Sequence, residues 1–232
     1  PCQGFSFAGK RDVKDNRNQM YKEYLRFVRI IEPKVAVMEN VQGLLSMRDF
    51  DGEKVIDKIL HEFIAMGYSV CYKVLKASDY KVPQNRKRLI IIAKKLDLFP
   101  EPSGEKRTVI DAISSLEFYE EEINGHVFFK TKEETKQRYH KLKQGEKLSK
   151  TFNCSPERLH ADKPSKTIVT KQRFIHPYYD RLLTPRELAR LQSFPDDFYF
   201  CGSKTSMVKQ IGNAVPPLLA RAVAEKILEG LI

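Results

Sequence analysis

Long apolar runs are missing from this sequence. No window approaches the roughly 18 consecutive apolar residues that a membrane-spanning helix needs, so no membrane span is expected. Cysteine is scarce, and the four present (Cys2, Cys71, Cys154 and Cys201) include no C-x-x-C pair, which argues against a structural zinc site. A chain of this size has little need of a disulfide framework, and that points to a reducing compartment. The five histidines (His61, His126, His140, His160 and His176) show no metal-ligand spacing, and no metal is expected. There is no internal repeat and no low-complexity tract. Neither an initiator Met nor a signal peptide opens the chain, which starts abruptly at Pro1-Cys2-Gln3, as a piece of something longer would. Acidic residues are in deficit, 30 against 41 Lys and Arg, for a formal net charge of +11.

What is present is enough for a folded core. With 232 residues, 41% of them hydrophobic, the chain suits one large domain or a core domain with a smaller companion, and full disorder is excluded. The positive charge is concentrated. Residues 126–181 hold 14 Lys and Arg against six Asp and Glu, so this window carries +8 of the +11. Phe128, Phe129, Tyr139, Phe152, Phe174, Tyr178 and Tyr179 are interleaved with those charges. Basicity mixed with aromatics suits a polyanion such as nucleic acid, and a lysine-rich solvated surface accounts for the composition equally well.

Apolar residues at helical spacing predict a helix from Asn18 to Ile31, stopped by Pro33. The short run Lys34–Met38 reads as a buried strand ending at Glu39-Asn40. Val55, Ile56, Ile59, Leu60, Phe63 and Ile64 share one face of a second helix, with Gly67 as its C-cap. Ser69–Ala77 and Arg88–Ala93 read as two further strands, and the alternation is that of a layered α/β domain, in which ligands sit beyond the carboxyl ends of strands. Past Lys94 the periodicity dissolves into a polar segment with Pro100, Pro102 and Gly104, expected to form a second, smaller domain of mixed short elements. Thr184-Pro185 marks a helix start, and a last helix is expected from about Pro216-Pro217, its apolar stripe packed back on the α/β core. Three segments are thus expected: 1–94, 95–180 and 181–232.

Three short clusters carry chemistry. Pro1-Cys2-Gln3 places a cysteine beside a glycine-containing turn, Glu39-Asn40-Val41 places a carboxylate at a strand end, and Gln84-Asn85-Arg86-Lys87-Arg88 is a basic cluster entering a strand. A thiolate favoured by nearby positive charge can act as a nucleophile, and a buried carboxylate can act as an acid. Taken singly, a cysteine is more often structural and a glutamate after a strand is more often a surface or capping residue. In combination and in this order, the clusters resemble the motifs of DNA (cytosine-5)-methyltransferases. Arg181-Leu182-Leu183-Thr184-Pro185-Arg186-Glu187-Leu188-Ala189-Arg190-Leu191-Gln192-Ser193-Phe194-Pro195 is similar to the ninth motif of that family, and Gln210-Ile211-Gly212-Asn213-Ala214-Val215-Pro216-Pro217 to its tenth.

The resemblance implies a partial Rossmann-like, S-adenosylmethionine-dependent methyltransferase core (residues 1–94) with a smaller mixed target-recognition domain (95–180) and C-terminal helices (181–232) returning to the core. It implies methyl transfer from S-adenosylmethionine to C5 of a cytosine flipped out of a specific double-stranded DNA sequence, in a bacterial, cytoplasmic restriction–modification system. By position, Cys2 matches the nucleophile that adds to C6, Glu39 the carboxylic acid on N3 and the exocyclic amine, and Arg88 the arginine that holds the base and Glu39. Pro1, Asn213 and Val215 match cofactor-bordering positions. Gln3, Ser6 and Arg86 match DNA-side positions, Arg86 as a support of the site or a phosphate contact. Thr167, in Ser165-Lys166-Thr167-Ile168, matches a contact to the target nucleotide. Residues 4–18 match a mobile loop that closes over DNA, and the lysines and arginines of the basic window are expected to meet phosphates.

The chain departs from the family at its start. The aromatic-x-Gly-x-Gly loop and two further cofactor motifs that precede Pro-Cys-Gln in family members are not in this sequence, and no other Gly-x-Gly replaces them. Residues 1–232 alone are therefore expected not to methylate DNA, the missing part coming from a separate chain, from an omitted segment, or being lost. Two other functions stay open at this point: an RNA cytosine-5 methyltransferase of the same fold, and a non-catalytic DNA-binding relic or subunit that needs a partner.

Overall fold

The computed structural model describes residues 19–94, 99–118, 123–151 and 155–231. In chain order the regular elements are α1 (Met20–Ile31), β1 (Ala36–Asn40), α2 (Val55–Ala65), β2 (Val70–Lys76), β3 (Gln84–Asn85), β4 (Lys87–Ala93), α3 (Val109–Ile113), α4 (Glu133–His140), β5 (Glu157–Arg158), β6 (Ser165–Lys166), β7 (Phe174–Ile175), α5 (Pro185–Leu191), α6 (Lys204–Asn213) and α7 (Pro217–Glu229). Contacts group the described residues into two units. The first holds residues up to Lys76, then Lys87–Glu101 and those from Val223 on; the second holds Ala77–Arg86 and Pro102–Ala222. These groupings follow contacts, whereas the boundaries expected at 94 and 180 follow the family's functional segments.

In the first unit the apolar run Leu89-Ile90-Ile91-Ile92-Ala93 dictates the architecture. Every one of these residues is at most 3% exposed, so β4 must be covered on both faces, and it is the central strand of a sheet ordered β1-β4-β2. It runs antiparallel to both neighbours. β1 and β2 are thus parallel to each other, and α2 carries the chain between them. An apolar run does not encode strand direction, and the sequence accordingly gave no warning of this reversed central strand.

The helices sit as their patterns require, with one narrowing. Val55, Ile56, Ile59 and Phe63 of α2 are buried, and Gly67, at φ 84 in the left-handed region that glycine adopts without strain, follows the C-cap Met66. In α1 only Leu25 and Val28 are fully buried; Met20, Phe27 and Ile31, also on the expected apolar face, are exposed. That helix ends before Pro33, at Glu32 in the left-handed conformation, whose N–H donates to the Val28 carbonyl. Phe63 packs edge-on against Tyr24 and Tyr68 at the heart of this core.

The second unit builds its core from Val109, Ile113, Leu159, Ile168, Phe174, Leu183, Leu188, Leu191, Phe200, Val208 and Ile211. Its strands are two-residue parallel pairs, β3 with β6 and β5 with β7, too short to show an alternating pattern. α5 starts as expected at Thr184-Pro185, where Thr184 and Glu187 form a reciprocal capping box. α6 had no apolar periodicity to announce it: Val208, Ile211 and Gly212 are its only buried residues.

Candidate active site

Antiparallel pairing of β1 with β4 sets the carboxyl end of one strand beside the amino end of the other. Glu39 pairs with Ile90, and Arg88, two residues earlier on β4, therefore lies on the same sheet face as the diagonal neighbour of Glu39. The Arg88 Nε donates to Glu39 Oε1 at 2.7 Å. An Arg88 Nη1 bond to the Lys87 carbonyl, 2.7 Å, further fixes the guanidinium. The side chains are 12% and 33% exposed, so the pair stands at the edge of the core with water on one side. Behind it Asn40 is buried, its Oδ1 accepting from the Val41 N–H at 2.8 Å where the strand ends. A planar guanidinium in this position orients a carboxylate rigidly.

Arg86 behaves differently, although only Lys87 separates it from Arg88. It is buried, and its guanidinium donates to the carbonyls of Ile168 at 2.7 Å and Gly212 at 2.9 Å. Those carbonyls adjoin Thr167 and Asn213 in the sequence. Thr167 is half-buried, its hydroxyl donating to the Asn85 carbonyl at 2.8 Å, immediately after the β3–β6 pairing of Asn85 with Lys166. Asn213 is the last residue of α6 and is exposed, and Val215 is half-buried in the turn that follows. Gly212 makes the approach possible: a Cβ there would lie 2.5 Å from the Val169 carbonyl carbon and oxygen.

Pro1, Cys2, Gln3 and Ser6 lie outside the described residues, as does the loop expected over 4–18. Of the expected site residues, the first unit brings Glu39 and Arg88 together, and the second unit ties Arg86 to the backbone beside Thr167 and Asn213. Among the described residues no group of three or more His, Cys, Asp or Glu could hold a metal ion, and no helix is long and apolar enough to cross a membrane.

Reading the sequence missed several residues that hold this unit together. Arg186 sits among the apolar residues of α5 yet is fully buried, donating to the carbonyls of Asn124 (2.6 Å), Pro195 (3.0 Å) and Phe198 (2.8 Å). Arg181 makes a two-pronged bond to Glu187, 2.8 and 2.7 Å. His176 is fully buried; its Nδ1 accepts from the N–H groups of Tyr178 and Tyr179, and burial pushes its pKa down to about 4. Only the Thr-x-x-Glu capping pattern carried a signal for any of these, at Glu187.

Comparison with known proteins identifies the family of the chain. The family model described as C-5 cytosine-specific DNA methylase matches residues 1–229. Type II methyltransferase M1.HphI of Haemophilus parahaemolyticus is 40% identical over 99% of this chain and 66% of its own length. Type II methyltransferase M.DdeI of Desulfomicrobium norvegicum is 35% identical over 98% of this chain and 70% of its own. The chain thus spans about two thirds of the length of these relatives. A crystal structure described as a DNA modification methyltransferase encoded within an E. coli prophage superimposes with a TM-score of 0.82 at 27% identity, covering all of this chain and 77% of that one. The mixed α/β architecture with open sheets is therefore that of an S-adenosylmethionine-dependent methyltransferase, and the chain belongs to the C-5 cytosine-specific DNA methylase family.

Proposed function

We propose that the protein serves a restriction–modification system by methylating C5 of a cytosine extruded from a specific double-stranded DNA sequence. The observation that carries this reading is the 2.7 Å Glu39–Arg88 pair, which joins two clusters far apart in the sequence into one carboxylate–guanidinium unit. Cys2, as thiolate, forms a bond to C6, and the C5–C6 π electrons shift toward C5 and the ring. Glu39, held by Arg88, offsets the charge that builds on N3 and the exocyclic amine. S-adenosylmethionine, when bound, supplies the methyl group that C5 takes up. Loss of the C5 proton to a base then re-forms the ring double bond as the C6–sulfur bond breaks, and Cys2 leaves as thiolate. The described chain names no residue for that base, and water can serve.

Extruding the cytosine costs a few kcal/mol, offset by contacts to the base and to the backbone. Thr167 is assigned to the target nucleotide, Gln3 and Ser6 to the DNA, and the basic window to phosphates. Arg86, spent on two buried carbonyls, is assigned to support rather than to a phosphate. The exposed Asn213 and the half-buried aliphatic Val215 suit the polar and apolar parts of an adenosyl group, and Pro1 is assigned to the same cofactor by its motif alone.

A duplex carrying 5-fluorocytosine tests the reading, because fluorine at C5 blocks the elimination. Expressed in its natural reading frame and supplied with the cofactor, the protein should form a denaturation-resistant adduct, and Cys2→Ser should form none. Salt-sensitive binding of every duplex with no adduct, or adducts on RNA alone, would sink it.

A further inference from the structure

We propose that Gln192 is a positioning residue, the middle of a buried amide relay that fixes the backbone beside Thr167 relative to the turn bearing Asn213. The role rests on the reading above, in which Thr167 meets the target nucleotide and Asn213 borders the cofactor. The relay begins at the Ile168 N–H, which donates to Gln84 Oε1 at 2.9 Å. Gln84 Nε2 donates in turn to Gln192 Oε1 and to the Leu191 carbonyl, the latter at 3.3 Å. Gln192 Nε2 then donates to the carbonyls of Ile211 at 3.2 Å and Ala214 at 2.7 Å. Both glutamines are fully buried.

Each amide thus commits its oxygen to one donor and its nitrogen to two acceptors, the full donor capacity of an NH2 group. The bonds run head to tail in a single direction. Flipping either amide would set nitrogen against N–H or oxygen against carbonyl, so the direction is fixed, and such a chain strengthens each of its links. The carbonyls at its far end belong to the last turn of α6 and the residue beyond it, where helical partners run out. Arg86 lays a second strap alongside, from the Ile168 carbonyl to the Gly212 carbonyl, so that both polar groups of Ile168 are tied. An apolar side chain at 192 would fill the same space and fix neither end.

Full-length protein tests the role through two variants. Gln192→Glu, at alkaline pH where its acid ionises, turns a carboxylate oxygen on the Ile211 and Ala214 carbonyls, and KM for DNA should there rise about tenfold with kcat within about twofold of wild type. Burial favours the protonated acid, which regains a donor as the pH falls, so the variant-to-wild-type KM ratio should return toward one on acidification. Gln192→Met, of similar volume, should show the KM defect at every pH. It should also lose hydrogen-exchange protection at the Ile168 amide, which Gln192 does not touch. Wild-type KM in both variants, or a defect in Gln192→Glu that does not change with pH, overturns the positioning role and leaves the methylation reading intact. Absence of methyl transfer by the wild type strikes the methylation reading, and this role falls with it.

Discussion

Glu39 and Arg88 meet where the sheet gives way to water, and that location separates their two contributions. A partly exposed ion pair is worth about 0.2–1 kcal/mol to the fold, whereas a group assisting proton and charge movement in a reaction is worth about 10²–10⁴-fold in rate. Arg88→Ala should therefore melt within a few degrees of wild type and lose about a hundredfold or more of its methyl-transfer rate, as radiolabel incorporation into duplex DNA would measure. Loss of the fold in step with activity would place the pair in the scaffold instead. His176 makes the opposite case, a buried titratable group with structural work to do. Burial holds its folded pKa at about 4, below the ordinary 6.5, so the unfolded chain binds the extra proton first. Its contribution is fully present above pH 6.5 and is lost as the pH falls from there toward 4. The thermal midpoint of wild type should fall more steeply over that window than that of His176→Asn, and parallel curves would contradict the assignment.

At the scale of elements, α6 shows why pattern reading was incomplete. Three of its ten residues are buried, because its packing contact is a glycine and its polar anchors, Arg86 and Gln192, belong to distant segments. Gly→Ala inside a helix ordinarily gains about 0.5–1 kcal/mol. At Gly212 the sign should reverse, since the new Cβ would lie 2.5 Å from the Val169 carbonyl and 2.7 Å from the Thr170 nitrogen, both backbone that cannot step aside. Gly212→Ala should lose about 1–3 kcal/mol in denaturant titration. Elements whose contacts are local were legible: α2 from its apolar stripe, α5 from the Thr184 cap with Pro185, β4 from its aliphatic run. The two-residue strands were not, since β3 and β5 owe their pairing to segments reached only through the tertiary fold.

Across the whole molecule, the +11 charge is the property with a direct experimental handle, because +8 of it falls within residues 126–181. If that window meets phosphates, the affinity of the chain for duplex DNA should fall linearly in log–log salt titrations, with a slope of about −0.9 for each phosphate neutralised. Lys163→Ala and Lys171→Ala, both at exposed positions, should each flatten the slope by about one while leaving sequence preference unchanged. A slope insensitive to both would move the DNA-facing surface elsewhere on the molecule. The sequence by itself determined the family, the aliphatic core strand, the location of the basic window and which residues are proposed to carry chemistry, because motif identity, periodicity and net charge are properties of the chain. Only the tertiary structure decided that β4 runs against its neighbours and so delivers Arg88 to Glu39. It alone separated Arg86, buried on two carbonyls, from Arg88 two positions later, and showed Gln84 and Gln192 as successive links of one relay. Strand direction and the destination of a buried polar side chain depend on partners remote in sequence, and hydrogen-bond geometry selects those partners only once the chain has folded.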